Sequence, residues 1–142
     1  MKTPSVTRFS ISMAGDLVAQ LDAMAAEKGH ANRSQAVATM VRDHLVEHHG
    51  QAGHYEIAGT ITLVYDHHKR NIQGLLTDIQ HDHQNVIIAT LHVHLDHHNC
   101  MEVMAVRGRA DRVKQVADTL IAAKGVKHGK LTVTTTGREF SH

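Results

Sequence analysis

Two histidines and the one cysteine of this chain are spaced to meet a metal ion. In Leu91-His92-Val93-His94-Leu95, apolar and imidazole side chains alternate as in a β-strand. Successive strand side chains point to opposite faces, so His92 and His94 share one face, about 7 Å apart at roughly 3.3 Å per residue. Cys100 follows after a short turn and can return beside them. Two neutral imidazoles and a thiolate suit nickel, copper, zinc or cobalt. A His-x-His pair alone is more often a polar pair on a solvated sheet face. A cysteine at hairpin distance, in a chain with 15 histidines, favours metal. A fourth ligand position remains, with His81, His83, His97, His98 or water as candidates. An open fourth position suits zinc catalysis; a filled one suits sensing or storage.

The chain of 142 residues has room for one ordinary domain or two small ones. Hydrophobic content of 42% fits a globular protein, and aromatic content of 3% leaves the core to aliphatic side chains. No apolar run reaches the roughly 20 residues that span a bilayer, and the N-terminus lacks a signal-peptide block. A single cysteine cannot form an intrachain disulfide, which points to the cytoplasm and to no membrane partner. A net charge of +1 argues against non-specific binding of nucleic acid. It leaves room for a small reader whose basic groups are placed locally.

Two parts separate near Glu47–Gly53, a polar, glycine-punctuated stretch that reads as a linker. The first part, residues 1–49, opens on alternating Thr7, Phe9, Ile11 and Met13, a half-buried strand. Two helices follow: Asp16 to Lys28, stopped by Gly29, and a second capped by Asn32 with Gln35 three residues on. A lone strand satisfies its backbone only by pairing with the same strand of a second chain. The expectation is an intertwined ribbon–helix–helix dimer. Arg8, Ser10 and Ser12 then project together from a ribbon that fits the major groove. Asn32 and Arg33 stand at a helix N-terminus able to receive a phosphate.

The second part, residues 54–142, reads strand, helix, strand, strand, helix, strand, the ferredoxin-like βαββαβ order. Tyr55–Tyr65, Val86–Leu95, Cys100–Arg107 and Leu131–Thr136 are its predicted strands; Lys69–His81 and Arg109–Lys124 are its helices. The row Ile87, Ala89, Leu91, Val93 and Leu95 is expected under the helices. Ile88, Thr90, His92 and His94 are then expected on the open face, against another subunit. The predicted class is α+β.

Over nearly its whole length the chain resembles the nickel-responsive transcriptional regulators, the NikR family. The resemblance is carried by Arg8-Phe9-Ser10-Ile11-Ser12, Asn32-Arg33-Ser34, Tyr65-Asp66-His67-His68-Lys69-Arg70, Gln80-His81-Asp82-His83, Ala89 to His94 with Cys100, and Gly125 to Gly129. It implies a ribbon–helix–helix module joined to an ACT-type ferredoxin-like domain, assembled as a homotetramer, a dimer of dimers. It implies that His92, His94 and Cys100 of one chain and His81 of a neighbouring chain hold Ni(II) in a planar site. It further implies that Arg8, Ser10 and Ser12 read bases and that Lys69 and Arg70 face DNA. The chain departs from the family at Gln35 and Thr39, where members often carry acidic residues that help hold a hard cation.

The expectation is a non-enzymatic, nickel-dependent repressor of nickel-uptake genes that binds an inverted-repeat operator in double-stranded DNA. The rivals are a nickel storage or delivery protein, a ribbon–helix–helix regulator sensing an amino acid, and a zinc hydrolase. The Arg8-Ser10-Ser12 face speaks against the first, the histidine distribution against the second, and the lack of a general base placed by motif, beyond Glu102 at a generic strand position, against the third.

Overall fold

The computed structural model describes residues 5–69 and 71–140 and divides the chain into two compact units. One runs to Leu45 and takes in Phe140; the other is Val46–Glu139. Among the described residues there are four helices and one four-stranded antiparallel sheet, an α+β architecture.

The first unit holds helix α1 (Gly15–Glu27) and the larger part of helix α2 (Arg33–Gln51), whose residues from Val46 on belong to the second unit. Leu21, Ala25 and Ala36 form a small core with Met24 and Val37 against it. Gly29, at φ 76°, turns the chain between the helices, a conformation costly for any residue with a Cβ. The Asn32 side chain accepts from Gln35 N–H at 2.8 Å, as an N-cap does. The Gln35 amide oxygen reaches back to the Ala31 N–H, so the cap is reciprocal. Residues 5–14 form neither helix nor strand, and Phe9 and Ile11 stay 75% and 59% exposed. A ladder needs a partner strand, and the single chain supplies none to this segment among the described residues.

The stretch expected to be a linker differs. Helix α2 continues through Glu47, His48, His49 and Gly50 to Gln51. Gly50 has no positive φ and fits the helix, whereas Gly53, at φ 80°, makes the turn. Backbone propensity at a single glycine costs only about 1 kcal/mol, less than the turns on either side supply.

In the second unit the order is β1 (Glu56–Asp66), α3 (Ile72–Asp82), β2 (Ile87–His94), β3 (Asn99–Arg109), α4 (Ala110–Ile121) and β4 (Val126–Thr134). The strands lie in the order β2-β3-β1-β4, which is the split-βαβ arrangement predicted from the sequence and is consistent with an ACT-like domain. Alternate residues Ile57, Ile61, Leu63 and Tyr65 of β1 pack with Met104 and Val106 of β3. Ile72 and Leu76 of α3 and Val113, Val116, Ala117 and Leu120 of α4 cover them. Strand β4 begins at Val126, five residues before the expected start, because Val126, His128 and Gly129 pair with β1, the register shifting at Lys127.

The face assignment of β2 is corrected. Ile87 pairs with Val106 but Ala89 with Ala105, so β2 carries one extra residue at Ile88. That bulge inverts the alternation beyond it. Thr90, His92 and His94 then lie opposite Met104, Glu102 and Cys100, on the helical face. Leu91 and Val93 lie opposite Val103 and Met101 on the open face, where Leu91 is 61% exposed.

Gly59 sets the spacing of β1 and β4. A Cβ there would overlap the Thr132 carbonyl oxygen, a backbone atom that cannot turn aside. Gly59→Ala is expected to destabilise the second unit by about 1–3 kcal/mol through overpacking. Urea denaturation checks this, and an unchanged midpoint would contradict the close approach.

Candidate metal centre

The site forms where three backbone segments meet on the helical face. Cys100 begins the central strand β3 and is fully buried. Register sets Tyr65 of β1 on one side of it and His94 of β2 on the other. His67 arrives from the loop after β1, held by its own N–H donating to the His98 carbonyl at 3.0 Å. His67 Nδ1 and His94 Nδ1 each stand 3.4 Å from Cys100 Sγ. These three side chains place one ligand atom apiece within 4.8 Å of one another.

The electrostatics suit a cation. Burial first, then the carboxylates of Glu102, Asp66 and Asp96, push the Cys100 thiol above its ordinary range. The sulfur therefore carries a proton at neutral pH until a cation displaces it. Partial burial, then His68 and His94, hold His67 below the usual histidine range, so its ring is neutral and able to ligate. Two imidazoles and a sulfur buried near carboxylates fit a borderline transition ion.

His92 lies beside this group, its ring centre 5.1 Å from that of His94. Its Nδ1 faces the Tyr65 hydroxyl at 3.3 Å and Glu102 Oε1 at 3.4 Å. Glu102 is in turn held by the Tyr65 hydroxyl at 3.0 Å and by Gln80 Nε2 at 2.9 Å, while Thr90 donates to Gln80 Oε1 at 3.0 Å. This network answers how a buried carboxylate is tolerated: both its oxygens accept hydrogen bonds. It also fixes the His92 ring with Nε2 turned away from Glu102, the arrangement of a ligand steadied by a carboxylate.

His81 lies exposed in the last turn of α3, with Nδ1 3.1 Å from Gln84 Nε2, and is not a member of the three-residue group. His67 was not among the sequence candidates. Its one signal was a place in Tyr65-Asp66-His67-His68, directly after a strand whose last residue pairs beside Cys100. The turn before Cys100 is better ordered than a bare turn. Asp96 Oδ1 accepts from His98 N–H at 2.9 Å and Asn99 N–H at 2.8 Å. Those bonds, with the Asn99 side chain contributing most, bring the Asp96 carboxyl down to about 2.

The other sequence candidates lie elsewhere. Arg8, Ser10 and Ser12 are exposed in the segment before α1. Asn32 is spent on its cap, and Arg33 makes a two-pronged ion pair with Asp22 at 2.9 and 2.8 Å. Lys69 is exposed, and Arg70 lies outside the described residues. Thr39 donates to the Gln35 carbonyl at 3.0 Å.

A ferredoxin-like unit with a histidine–cysteine cluster at one end of its sheet defines a metal-binding module. Residues 58–134 match the family model described as the NikR C terminal nickel binding domain. Relatives bearing the name "Putative nickel-responsive regulator" align with almost the whole chain. The one from Thermococcus onnurineus is 48% identical over 135 residues, covering 95% of this chain and 98% of the relative. The one from Geotalea uraniireducens is 53% identical over 133 residues, covering 94% and 96%. The one from Geobacter sulfurreducens is 52% identical over the same length and shares. The chain belongs to the nickel-responsive regulator family, and its second unit matches that family's nickel-binding domain.

A nickel ion ligated by Cys100 would expel the thiol proton. We expect about one proton released per ion at neutral pH, and affinity that falls about tenfold per pH unit as the solution is acidified. Titration with a competing chelator at several pH values measures this. An affinity independent of pH would mean that the sulfur is not a ligand.

Proposed function

We propose that this chain is a cytoplasmic, nickel-dependent repressor that binds an inverted-repeat operator in double-stranded DNA and controls nickel uptake. The observation that carries the reading is the Cys100–His94 pair on facing strands, in a family of nickel-responsive regulators. Residues 1–49 serve as a ribbon–helix–helix reader and residues 54–142 as the metal-binding, tetramer-forming domain. The need to keep one sulfur reduced favours the cytoplasm. No helix among the described residues is long and apolar enough to cross a membrane.

Exposed apolar rows support an assembly of several copies. In the first part Phe9 and Ile11 alternate with Arg8, Ser10 and Ser12. Pairing of this segment with its copy buries the first set and presents the second to a major groove. In the second part Leu91 and Val93 line a sheet face that another copy covers, giving a dimer of dimers. Half-sites in such an assembly fall a whole number of helical turns apart. Asn32, Arg33, Lys69 and Arg70 supply phosphate contacts. For Arg33 this requires exchanging Asp22 for a phosphate, a swap between two exposed partners.

Two ligand sets share His94 and Cys100. The chain by itself offers His67 as the third donor. An assembled protein offers His92, steadied by Glu102, and His81 of a neighbouring copy. We assign the second set to the nickel-loaded regulator and His67 to the unassembled or arriving state. Four donors from two chains tie those chains together, so the ion stabilises one arrangement over others, as a switch requires.

His92→Ala is expected to weaken Ni(II) at least a hundredfold and His67→Ala less than tenfold; the reverse order, read by chelator competition, would transfer the role to His67. The DNA reading is tested by selecting from random duplexes with and without Ni(II). We expect one inverted repeat to be retained with nickel and released by chelator, and Arg8→Ala to lose retention while keeping its nickel affinity. Retention of no duplex, or indifference to nickel, would favour storage or delivery instead.

A further inference from the structure

The last turn of α2 is gripped from three sides inside the second unit. We propose that residues 135–139, the segment after β4, form a strap that closes on His49, fastens this turn to the sheet and keeps the tether to the DNA reader short. The strap stands on geometry alone; its effect on DNA rests on the repressor reading above.

Two of the contacts are already made. The His49 ring lies flat on Tyr55, with ring centres 4.0 Å and planes 16° apart. Tyr55 is itself tied to α4, because its carbonyl accepts from the Ala110 N–H at 2.9 Å. Next along the helix, Gly50 meets Val133 of β4: a Cβ at Gly50 would stand 3.1 Å from Val133 Cγ1. The missing side chain lets helix and strand approach. Only residues 52–55 then separate α2 from β1.

The third contact comes from the strap. Gly137, at φ 89°, turns it, and the Gly137 N–H donates to Thr135 Oγ1 at 2.9 Å. Glu139 then faces the helix, with Oε1 3.8 Å from His49 Nδ1. Beside it Arg138 Nη1 stands 3.7 Å from Glu56 Oε2 at the start of β1. The Thr135 hydroxyl, donating to Glu139, does most to hold that carboxyl below its ordinary range. The carboxylate is therefore ionised at neutral pH and able to accept.

This third contact is poised to close. His49 Nδ1 is buried and has no hydrogen-bond partner among the described residues. At 3.8 Å the Glu139 carboxylate attracts it without bonding to it. A buried polar atom left in this state is unfavourable, so an acceptor just beyond bonding distance is drawn in. Residues 135–139 belong to no helix or strand, and a shift of about 1 Å completes the bond. Opening breaks only this bond and the exposed Arg138–Glu56 pair, which is weak in water, so the strap is reversible. When it opens, the last turn of α2 loses its cover and the free chain grows beyond residues 52–55. A longer flexible tether lowers the effective concentration at which a second reader meets its half-site.

Hydrogen exchange of the full chain, read by mass spectrometry at one pH, tests the strap. Glu139→Ala is expected to speed exchange at residues 48–52 several-fold and to leave β3 unchanged. Gly137→Val, which forces a branched side chain into a left-handed turn, is expected to do the same without removing His49 or Glu139. His49→Phe keeps a ring to stack and loses the nitrogen; combined with Glu139→Ala, it is expected to add nothing to the effect of either alone. Unchanged exchange in Glu139→Ala, or effects that add in the double variant, would overturn the strap. Retention of the selected inverted-repeat duplex tests the tether. Glu139→Ala is expected to weaken retention several-fold at wild-type nickel affinity, and equal retention would overturn the strap's part in DNA binding. A wild-type chain that retains no duplex would count against the repressor reading, and hydrogen exchange would still decide the strap.

Discussion

One extra residue in an edge strand decides which way the histidines of this protein face. Without the bulge at Ile88, strict alternation would put Ile87 and His92 on opposite sides of the sheet. With it, Ile87 joins the core and Thr90, His92 and His94 follow onto the same side, opposite Cys100, Glu102 and Met104. The centre exists because a β-ladder tolerates one unpaired residue near the end of an outer strand at little cost. Three polar side chains on a helical face would ordinarily be unfavourable. Here Gln80 of α3 and Glu102 of β3 satisfy Thr90 and His92, and Cys100 receives His94.

The same bulge explains where the sequence reading succeeded and where it failed. The βαββαβ order was legible because α4 carries Val113, Val116, Ala117 and Leu120 on one stripe and β1 alternates cleanly through Ile57, Ile61, Leu63 and Tyr65. The pairing of His94 with Cys100 was legible from hairpin spacing. The face was not, because Ile87-Ile88-Ala89 contains no glycine or proline to mark a bulge, and an apolar row ordinarily points inward. His67 was hidden for another reason. It joins Cys100 through a loop whose position depends on a long-range bond to His98, and no local pattern encodes that bond. The persistence of α2 through Gly50 was a matter of magnitude, since one weak helix former seldom ends a helix of 19 residues.

Burial of the sulfur has a consequence for how such a centre responds to its ion. A thiol surrounded by Glu102, Asp66 and Asp96 is kept protonated by the field that later welcomes a divalent cation. On the proposed reading the empty and loaded states differ by a proton as well as by an ion, and the donors arrive already oriented. His92 is steadied through Nδ1 by Tyr65 and Glu102, and the His98 carbonyl fixes the backbone of His67. Orientation of this kind reduces the entropy lost on binding, which matters most for ligands on an exposed edge strand.

Selectivity then has to come from geometry. Copper binds such donors more tightly than nickel whenever the ligands are free to choose their arrangement. A cysteine locked in a central strand and a histidine directly across from it give up that freedom, and so does a ring held against a buried carboxylate. What stays adjustable is the donor from outside this rigid patch, whether His67 on its loop or a histidine of another copy. On the proposed reading, that adjustable position is where discrimination between ions and communication between chains coincide. On that reading, a metal that did not take the donor offered by the second chain would bind without drawing that chain into place.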